Sequence, residues 1–303
     1  MKLTSIITVN FNQPAVTIEF LNSVKQHAKQ DEVEVIVVDN GSKEDHGDAF
    51  QKAYTGLVYI RSDKNLGFAG GNNIGIEQAK GDYLLLLNND TEITNNLIDV
   101  LKAELDRDST IGLVSPLIIY YQDPDIIQYA GFTEMNYLTC RNAGIGSFEK
   151  NNGQYDNDSR QTAFIHGAAV MCRKADLEKT GLMDERYFLY YEELDWCERF
   201  KRAGKKIWFT GKTKIYHKES ISVGKESIIK TYFMTRNRML FIRKNTGWLN
   251  TILFSIYYIL VACGKQAYLY LKKGRKDLLK WLLHGIGWNL THSKDSSYLG
   301  FKI

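Results

Sequence analysis

The stretch YLLLLNNDTEI at residues 83–93 runs from five consecutive aromatic or aliphatic residues directly into two asparagines and an aspartate. A continuously apolar run of this length is typical of a strand that is buried on both faces of a parallel sheet. Similar β-branched runs occur at residues 5–9, 34–38 and 57–60, and helical patterns lie between them. This alternation of strands and helices predicts an α/β fold with an open, wound sheet.

The polar residues that follow these strands are candidates for function, because open α/β sheets bind ligands at the carboxyl ends of their strands. Asp39 ends the run VIVVD and either accepts a hydrogen bond from a nucleobase or ribose, or forms the turn DNGS. Residues 65–75, NLGFAGGNNIG, open a helix whose small residues either let backbone N–H groups approach a diphosphate or pack tightly on the sheet. The dinucleotide fingerprint G-x-G-x-x-G does not follow the first strand, which argues against a nicotinamide dehydrogenase.

Oxygen and nitrogen donors that could bind a divalent cation occur at two more strand ends. Asp90, preceded by Asn88 and Asn89, suits Mg²⁺ or Mn²⁺ shared with substrate phosphates, although a capping turn explains the same residues. His217 ends the strand-like KIYH, and a lone histidine in such a place is more often structural than a ligand.

Three acids begin a predicted helix in the sequence YYEELDWCERF. Glu192 and Glu193 are ordinary partners for the positive end of a helix, and Asp195 has Arg199 at the spacing of a helical ion pair. Taken singly, each of these carboxylates is better explained by structure than by catalysis.

Composition restricts the class of protein further. The 303 residues are 44% hydrophobic and 24% charged, which is the composition of a globular protein with a large core. Its four cysteines form no C-x-x-C pair, which favours a reducing, cytoplasmic compartment. The first twelve residues are too polar for a signal peptide.

The C-terminal part of the chain differs from the rest in charge and in its pattern of apolar residues. Residues 230–303 hold 13 lysines and arginines but only the acids Asp277 and Asp295, whereas the whole chain has a net charge of +4. We therefore predict a domain over 1–225 and a basic, apolar helical region over 226–303. The uncharged segment 247–264 is compatible with a helix lying on an anionic membrane surface, a helix packed on the domain or in a homodimer contact, or a true membrane span. Nucleic acid is not an expected partner, because the aromatic residues of this region alternate with aliphatic residues rather than with the charges.

In order along the chain, the segments IITVNFN, VIVVDNGS, NLGFAGGNN, LLLNNDTEI, HGAAVMCR, YYEELDWCER and KIYH resemble the family 2 inverting glycosyltransferases. The resemblance covers residues 3–245 and points to the bacterial cell-surface branch that includes rhamnosyltransferases. It implies the GT-A fold, which is Rossmann-like, with a mostly parallel open sheet and helices on both faces.

The resemblance also implies roles for particular residues. Asp90 and His217 would be metal ligands for Mn²⁺ or Mg²⁺, with Asn88 at the first place of the family's D-x-D motif. Glu193 would be the catalytic base, with Glu192 and Asp195 as rivals. The acceptor side would include His166, Gly167 and Tyr191. The residues expected to bind the donor are Val9, Asn10, Asp39, Asn65, Gly67, Gly71, Asn72, Asn88 and Asn89.

The implied activity is transfer of a sugar from dTDP-rhamnose or a UDP-sugar to a saccharide hydroxyl, with inversion at the anomeric carbon. The acceptor would be a lipid-linked saccharide, and the enzyme would lie peripherally at the cytoplasmic face of the cell membrane. The alternative is a non-catalytic scaffold of the same fold that binds sugar nucleotides. Nucleotidyl transfer is a weaker alternative, because only Arg61 and Lys64 lie near the glycine-rich segment.

Overall fold

The computed structural model describes residues 2–218 and 226–302. The strands of these residues are β1 Thr4–Asn10, β2 Val33–Asn40, β3 Val58–Ser62, β4 Tyr83–Leu87, β5 Thr91–Ile93, β6 Ile111–Tyr120, β7 Ile127–Tyr129, β8 Ser159–Gln161, β9 Ala169–Arg173 and β10 Lys206–His217. The helices are α1 Pro14–His27, α2 Gly47–Ala53, α3 Gly67–Gln78, α4 Leu97–Arg107, α5 Leu177–Thr180, α6 Glu192–Arg202, α7 Ile228–Asn245, α8 Trp248–Tyr257, α9 Gly264–Lys272 and α10 Lys276–Thr291.

The described strands form one sheet in the order β3-β2-β1-β4-β9-β6-β10-β5, with β7 and β8 paired at its margin. Strands β1 to β4 are parallel to one another, as predicted. Beyond them the sheet is mixed, because β9 runs antiparallel between β4 and β6. The predicted α/β fold class is confirmed, and the parallel pairs are those among the first four strands and the pair β6–β10.

Strand β6 was not predicted, and its sequence explains why. Pro116 lies in its middle, and proline is disfavoured in a central strand because it cannot donate to the ladder. In the structure Pro116 pairs with Thr210 where the register of β10 shifts between Thr210 and Lys214. The irregularity in the neighbouring strand therefore coincides with the proline.

Helices cover both faces of the sheet, and each face has its own core. One face buries Ile6, Val37 and Leu85 against α1 and α4. The other buries Ile7, Val38 and Leu86 in a core that continues into the C-terminal helices. The helical C-terminal region is thus confirmed, and it extends the core of one sheet face. The predicted boundary at 225 falls at the end of residues 219–225, outside the described residues, and the two-domain division stays a prediction.

Helices α8 and α9 are joined by a π-helical turn, Tyr258–Cys263, into one helix, Trp248–Lys272. This helix has a mean hydropathy of 1.4 over its most apolar window, and only 17% of that window is buried. By length and composition alone it could cross a membrane. Its buried side chains include Phe254, Tyr258 and Tyr270, so one side of it packs on the protein.

Candidate active site

The ends of β1 and β2 bring the first predicted donor residues together. Asn10 and Asp39 are paired across these strands. The Asp39 carboxylate accepts hydrogen bonds from the Ser42 backbone N–H (2.8 Å) and from the Asn10 amide (3.3 Å). Asp39 is fully buried, so in this conformation its carboxylate organises the turn after β2. A contact with a nucleobase stays a prediction.

The glycine-rich segment at the start of α3 is explained largely by packing. The Asn40 side chain accepts from the Leu66 N–H (2.9 Å) and donates to the Gly67 carbonyl (2.9 Å). Gly67 has φ +73°, and a Cβ there would lie 2.0 Å from the Phe188 carbonyl oxygen. A Cβ on Gly71 would lie 2.9 Å from the Val9 side chain.

The other polar residues predicted in this segment also make local hydrogen bonds. The Asn65 side chain accepts from the Gly67 N–H (2.8 Å), and the Asn72 side chain donates to the Phe68 carbonyl (2.9 Å). These contacts favour the tight-packing explanation for the segment. Its binding of a diphosphate stays a prediction.

The ends of β4 and β10 bring Asp90 and His217 into contact. Strand β5 pairs antiparallel with β10, with Thr91 opposite His217, and the Lys218 N–H donates to the Asp90 carbonyl (2.9 Å). This pairing fixes both side chains at the same edge of the sheet. Asp90 Oδ1 lies 3.2 Å from His217 Nε2.

The geometry of this pair fits a shared cation. Both atoms are buried, and neither makes a hydrogen bond among the described residues, although the two lie within ion-pair distance of each other. His217 Nδ1 donates to the Gln128 side-chain oxygen (2.7 Å). A neutral imidazole with a proton on Nδ1 has a lone pair on Nε2, which is the form that binds a metal. Two lone-pair donors 3.2 Å apart are spaced as two ligands of one Mn²⁺ or Mg²⁺ would be.

The chain supplies few further ligands. Among residues 2–218 and 226–302, no group of three or more histidine, cysteine or acidic side chains is placed to hold a metal. Asn88, two residues before Asp90 in the sequence, is half-buried, and its backbone carbonyl accepts a hydrogen bond from the Thr91 hydroxyl. Asn89 donates to the Thr17 hydroxyl, which donates to Asn10, so a hydrogen-bonded chain runs from the Asp90 loop to the end of β1. Any remaining ligands of a cation at Asp90 and His217 would come from substrate and water.

His166 and Gly167 lie next to this pair. The rings of His166 and His217 are 5.8 Å apart. Burial and the neighbouring His217 lower the pKa of His166 to about 3, so its ring is neutral. Its Nδ1 accepts from the Ala168 N–H (3.1 Å), which places its proton on Nε2. Gly167 faces the Phe68 ring at the start of α3, so this turn lies between the metal-ligand pair and the glycine-rich segment.

The acid pair begins α6. Burial raises the pKa of Glu192 well above its usual value, and the neighbouring Glu193 raises it further. Burial also raises the pKa of Glu193. One carboxylate oxygen of each is buried without a hydrogen-bond partner among the described residues. Glu193 is the more exposed of the two. A raised pKa makes a carboxylate a stronger base, and the assignment of Glu193 as the catalytic base stays a prediction.

The rival Asp195 has a structural role. It is fully buried, and its carboxylate pairs with Arg199 (3.0 Å) and Lys244 (3.1 Å). It also accepts from the Tyr187 hydroxyl (3.1 Å) and the Asn245 amide (3.0 Å). Because each oxygen already has partners, Asp195 is not available as a base, and the ion pair with Arg199 predicted as its alternative role is observed.

Tyr191 also lies in the core. Its side chain is 6% exposed, its ring packs on Phe241, and its hydroxyl accepts from Arg238 Nε. It could contact an acceptor only if this packing opened, and its predicted role stays untested.

Several residues of the site were not predicted from the sequence. Gln128 lies in a short edge strand with nothing to mark it as the partner of His217. Arg236 and Asn237 contact the loop before α6 from α7. Their signal was available, since two polar residues on the buried face of a mostly apolar helix are unusual.

Comparison with known proteins defines the class. The model of Glycosyl transferase family 2 matches residues 5–181, more than half of the chain. The chain therefore belongs to family 2 of the glycosyltransferases, and it is an enzyme that uses nucleotide sugars.

Two of the curated relatives are named rhamnosyltransferases. The N-acetylglucosaminyl-diphospho-decaprenol L-rhamnosyltransferase of Mycobacterium tuberculosis is 23% identical over 265 residues, which are 80% of this chain and 85% of the relative. The dTDP-rhamnosyl transferase RfbF of Shigella flexneri is 25% identical over 273 residues, which are 84% of this chain and 87% of the relative. The resemblance to the rhamnosyltransferase branch is confirmed.

Solved structures show the GT-A fold. GalNAc-T7 with UDP, GalNAc and Mn²⁺ superposes with a TM-score of 0.66 and 19% identity over 96% of this chain, which spans 58% of that protein. Staphylococcus aureus TarS 1–349 in complex with UDP-GlcNAc superposes with a TM-score of 0.59 and 15% identity over 95% of this chain and 81% of that one.

Proposed function

We propose that the chain is a metal-dependent, inverting glycosyltransferase that transfers a sugar to a lipid-linked saccharide. The first candidate donor is dTDP-rhamnose, and UDP-sugars are the second. The observation that carries the proposal is the convergence of two buried donor atoms, Asp90 Oδ1 and His217 Nε2, which lie 3.2 Å apart and make no hydrogen bond among the described residues. The relatives named for rhamnosyl transfer support the donor, and the relative whose name includes a diphospho-decaprenol supports the acceptor.

Asp90 and His217 would hold Mn²⁺ or Mg²⁺, and GalNAc-T7 solved with Mn²⁺ supports a cation in this fold. When bound, the cation neutralises charge that develops on the departing diphosphate. Gln128 contributes by holding His217 in the tautomer whose Nε2 is free. The imidazole ligand favours Mn²⁺ over Mg²⁺, because Mg²⁺ prefers oxygen donors.

Glu193 is proposed as the general base. It takes the proton of the acceptor hydroxyl while that oxygen bonds to the anomeric carbon. The bond from this carbon to the diphosphate oxygen breaks on the opposite side, so the configuration inverts. General-base assistance of this kind contributes roughly 10²–10⁴-fold to the rate.

The test is transfer measured with Mn²⁺, a panel of dTDP- and UDP-sugars and a saccharide carried on a lipid diphosphate. We expect Glu193→Gln to lower kcat by roughly 10²–10⁴-fold while binding of the free nucleotide, measured by calorimetry, is kept. A wild type that binds nucleotide but transfers no sugar to any acceptor would instead support the non-catalytic scaffold. Wild-type kcat in Glu193→Gln would remove Glu193 as the base.

The exposed face of Trp248–Lys272 is proposed as the contact with the membrane that carries the acceptor. Trp248, Leu260 and Val261 are 76%, 71% and 57% exposed. Four exposed lysines of α9 and α10 have no acidic partner among the described residues, namely Lys265, Lys272, Lys276 and Lys280. Each basic residue near an anionic leaflet adds about 1 kcal/mol of attraction. Because the opposite side of the helix is packed on the protein, we propose that the helix lies on the bilayer rather than spans it.

Vesicle sedimentation tests this contact. The wild type should sediment with anionic vesicles and only weakly with neutral ones, and the double variant Trp248→Ser/Leu260→Ser should stay in solution. Phe148→Ser is a matched control, because Phe148 is 75% exposed but lies far along the chain from the proposed face. Equal sedimentation of all three proteins, or a dimer in solution that the double variant breaks, would contradict the membrane role.

A further inference from the structure

The segment that leads into the acid pair is held in a strained conformation. Phe188, Tyr190 and Tyr191 have φ values of +63°, +71° and +75°, although none is glycine. Side chains rarely adopt this left-handed region, and bulky ones least of all. Such strain persists only where the surroundings enforce it, and it concentrates at functional sites.

A buried side chain of α7 contacts this segment, and the Phe68 N–H of α3 also donates to its Phe188 carbonyl (2.7 Å). The Asn237 amide nitrogen donates to the carbonyls of Tyr187 (2.8 Å), Leu189 (2.8 Å) and Tyr190 (2.9 Å). Asn237 is fully buried. Three carbonyl oxygens of one turn therefore contact the same amide group, which belongs to a helix about 50 residues later in the chain.

Arg236 supports the same contact. Its Nη1 donates to the Asn237 side-chain oxygen (2.7 Å), which orients the amide, and to the Arg186 carbonyl (2.8 Å). The guanidinium is fully buried and lies 4.1 Å from the centre of the Trp288 ring. Two of its nitrogens have no hydrogen-bond partner, and it pairs with no carboxylate among the described residues. A buried cation without a counter-charge is destabilising, so stability alone does not account for it.

We infer that Asn237, oriented by Arg236, is a positioning residue for the transfer reaction. It holds the carbonyls of residues 187, 189 and 190, in the segment where Phe188, Tyr190 and Tyr191 have positive φ, and thereby fixes the position of Glu193 in the first turn of α6. The inference rests on the proposed function, because it assigns Glu193 as the group being positioned. It also makes α7, in the C-terminal region, part of the catalytic apparatus.

The test compares Asn237→Ala with a matched variant, Asn289→Ala. Asn289 is a buried asparagine of α10 that donates to the Arg236 and Gly285 carbonyls and does not contact the loop. Both variants lose buried hydrogen bonds around α7, but only Asn237→Ala releases the segment before the acids. Each is measured for nucleotide binding, for kcat and acceptor KM, and for the pH dependence of kcat.

We expect Asn237→Ala to lower kcat by ~100-fold, the cost of a small misplacement of a catalytic group, with nucleotide binding nearly unchanged. The acid limb of its pH profile should move to lower pH, because a released Glu193 loses the burial that raises its pKa. The titratable groups that face Glu193 are Glu192, Tyr190 and Cys197, and none of them is altered. Asn289→Ala should keep the wild-type kcat and pH profile. Equal losses in the two variants, or an unmoved acid limb in Asn237→Ala, would overturn the inference.

A second measurement covers the case in which Asn237→Ala does not fold. Hydrogen exchange of the intact natural chain should show the amides of residues 187–189 exchanging in the same slow opening as the centre of α7. Exchange of these amides much faster than that of α7 would overturn the inference. A wild type without transferase activity would refute the proposed function, and the exchange result would still decide whether α7 holds the segment.

Discussion

At the scale of single residues, the burial of the adjacent acids Glu192 and Glu193 has the largest effect. It bears both on the stability of the fold and on the proposed proton transfer. Burial raises the pKa of both carboxyls. A carboxyl whose pKa is higher in the folded state binds its proton more tightly there than in the unfolded chain. Its contribution to stability is therefore complete below the unfolded pKa of about 4.3 and is lost as the pH rises through the folded pKa.

We predict that Glu192→Gln stabilises the protein, because glutamine keeps the shape and removes the buried charge. Tm should rise by roughly 2–4 °C for each kcal/mol gained, and the gain should be larger at pH 8 than at pH 5. Thermal melts at the two pH values measure it. Glu178→Gln, at an exposed glutamate of α5, is the control and should leave Tm unchanged. A Glu192→Gln gain that is equal at both pH values would contradict the prediction.

Gly67 gives a second prediction at this scale. An alanine there would combine a left-handed backbone (φ +73°) with a collision at the Phe188 carbonyl, 2.0 Å away. Gly56 has a similar φ of +84° with open space around it. Gly56→Ala should therefore lose only the backbone term of about 1–2 kcal/mol, and Gly67→Ala should lose clearly more. Denaturant unfolding compares the two free energies, and equal losses would show that the collision relaxes without cost.

How far single residues could be predicted depended on whether their signal was local. Asp90 and His217 stand at strand ends, where the topology brings them together, and the structure puts them 3.2 Å apart. Asp39 stands at the predicted position but is fully buried. The contacts of Gln128 and Asn237 could not be predicted, because their partners lie 89 and about 50 residues away along the chain.

At the scale of elements, α7 connects the two ends of the loop before α6. Its Lys244 pairs with both Asp184 and Asp195. Burial alone would raise the pKa of Asp184, but hydrogen bonds from Arg186 and Lys244 outweigh it and lower the pKa to about 2. The stability that these contacts supply is present above the unfolded pKa of about 3.9 and is lost as the pH falls towards 2.

We predict that Lys244→Met costs about 3–5 kcal/mol, since removing one partner of a buried ion pair leaves uncompensated charge. Equilibrium unfolding at neutral pH measures the loss, which should shrink as the pH is lowered and Asp184 becomes protonated. Lys230→Met makes the same chemical change in the same helix, at a lysine with no acidic partner among the described residues, and should cost far less. Similar losses in the two variants would mean that the ion pairs contribute little.

The sequence predicted elements well where one pattern dominated. The four parallel strands follow from continuous apolar runs, and α6 follows from its acids and periodic apolar residues. The antiparallel direction of β9 was not predictable, because an apolar run does not record which way its strand points. Strand β6 was missed because Pro116 lies in its middle, where the register of the neighbouring β10 shifts.

At the scale of the whole molecule, the C-terminal helices have one side packed on the protein and one side exposed. One side of them shares a core with the sheet and holds the loop before the acid pair. The other side exposes apolar and basic residues. The change in charge and residue pattern along the sequence predicted a C-terminal helical region, which is observed, but its packing against the loop before α6 is a tertiary property with no local signal.

We predict that Lys272→Glu/Lys276→Glu slows transfer to an acceptor embedded in anionic vesicles and leaves transfer to a water-soluble, short-chain acceptor unchanged. Reversing two exposed charges weakens attraction to the leaflet, by about 1 kcal/mol or more per residue, without touching the proposed site. Initial rates on the two acceptors measure the effect. Equal slowing on both acceptors would mean that these lysines act on the fold or on catalysis.

The proposed cation site is tested most directly by Mn²⁺ binding, measured by electron paramagnetic resonance in the presence of dTDP or UDP. The wild type should bind Mn²⁺, and His217→Ala and Asp90→Asn should each weaken that binding by at least ~10-fold, the smaller end of the effect of removing even an outer partner of a metal site. His284→Ala, which removes an exposed histidine of α10, should bind Mn²⁺ as the wild type does. Wild-type affinity for Mn²⁺ in His217→Ala would contradict the account.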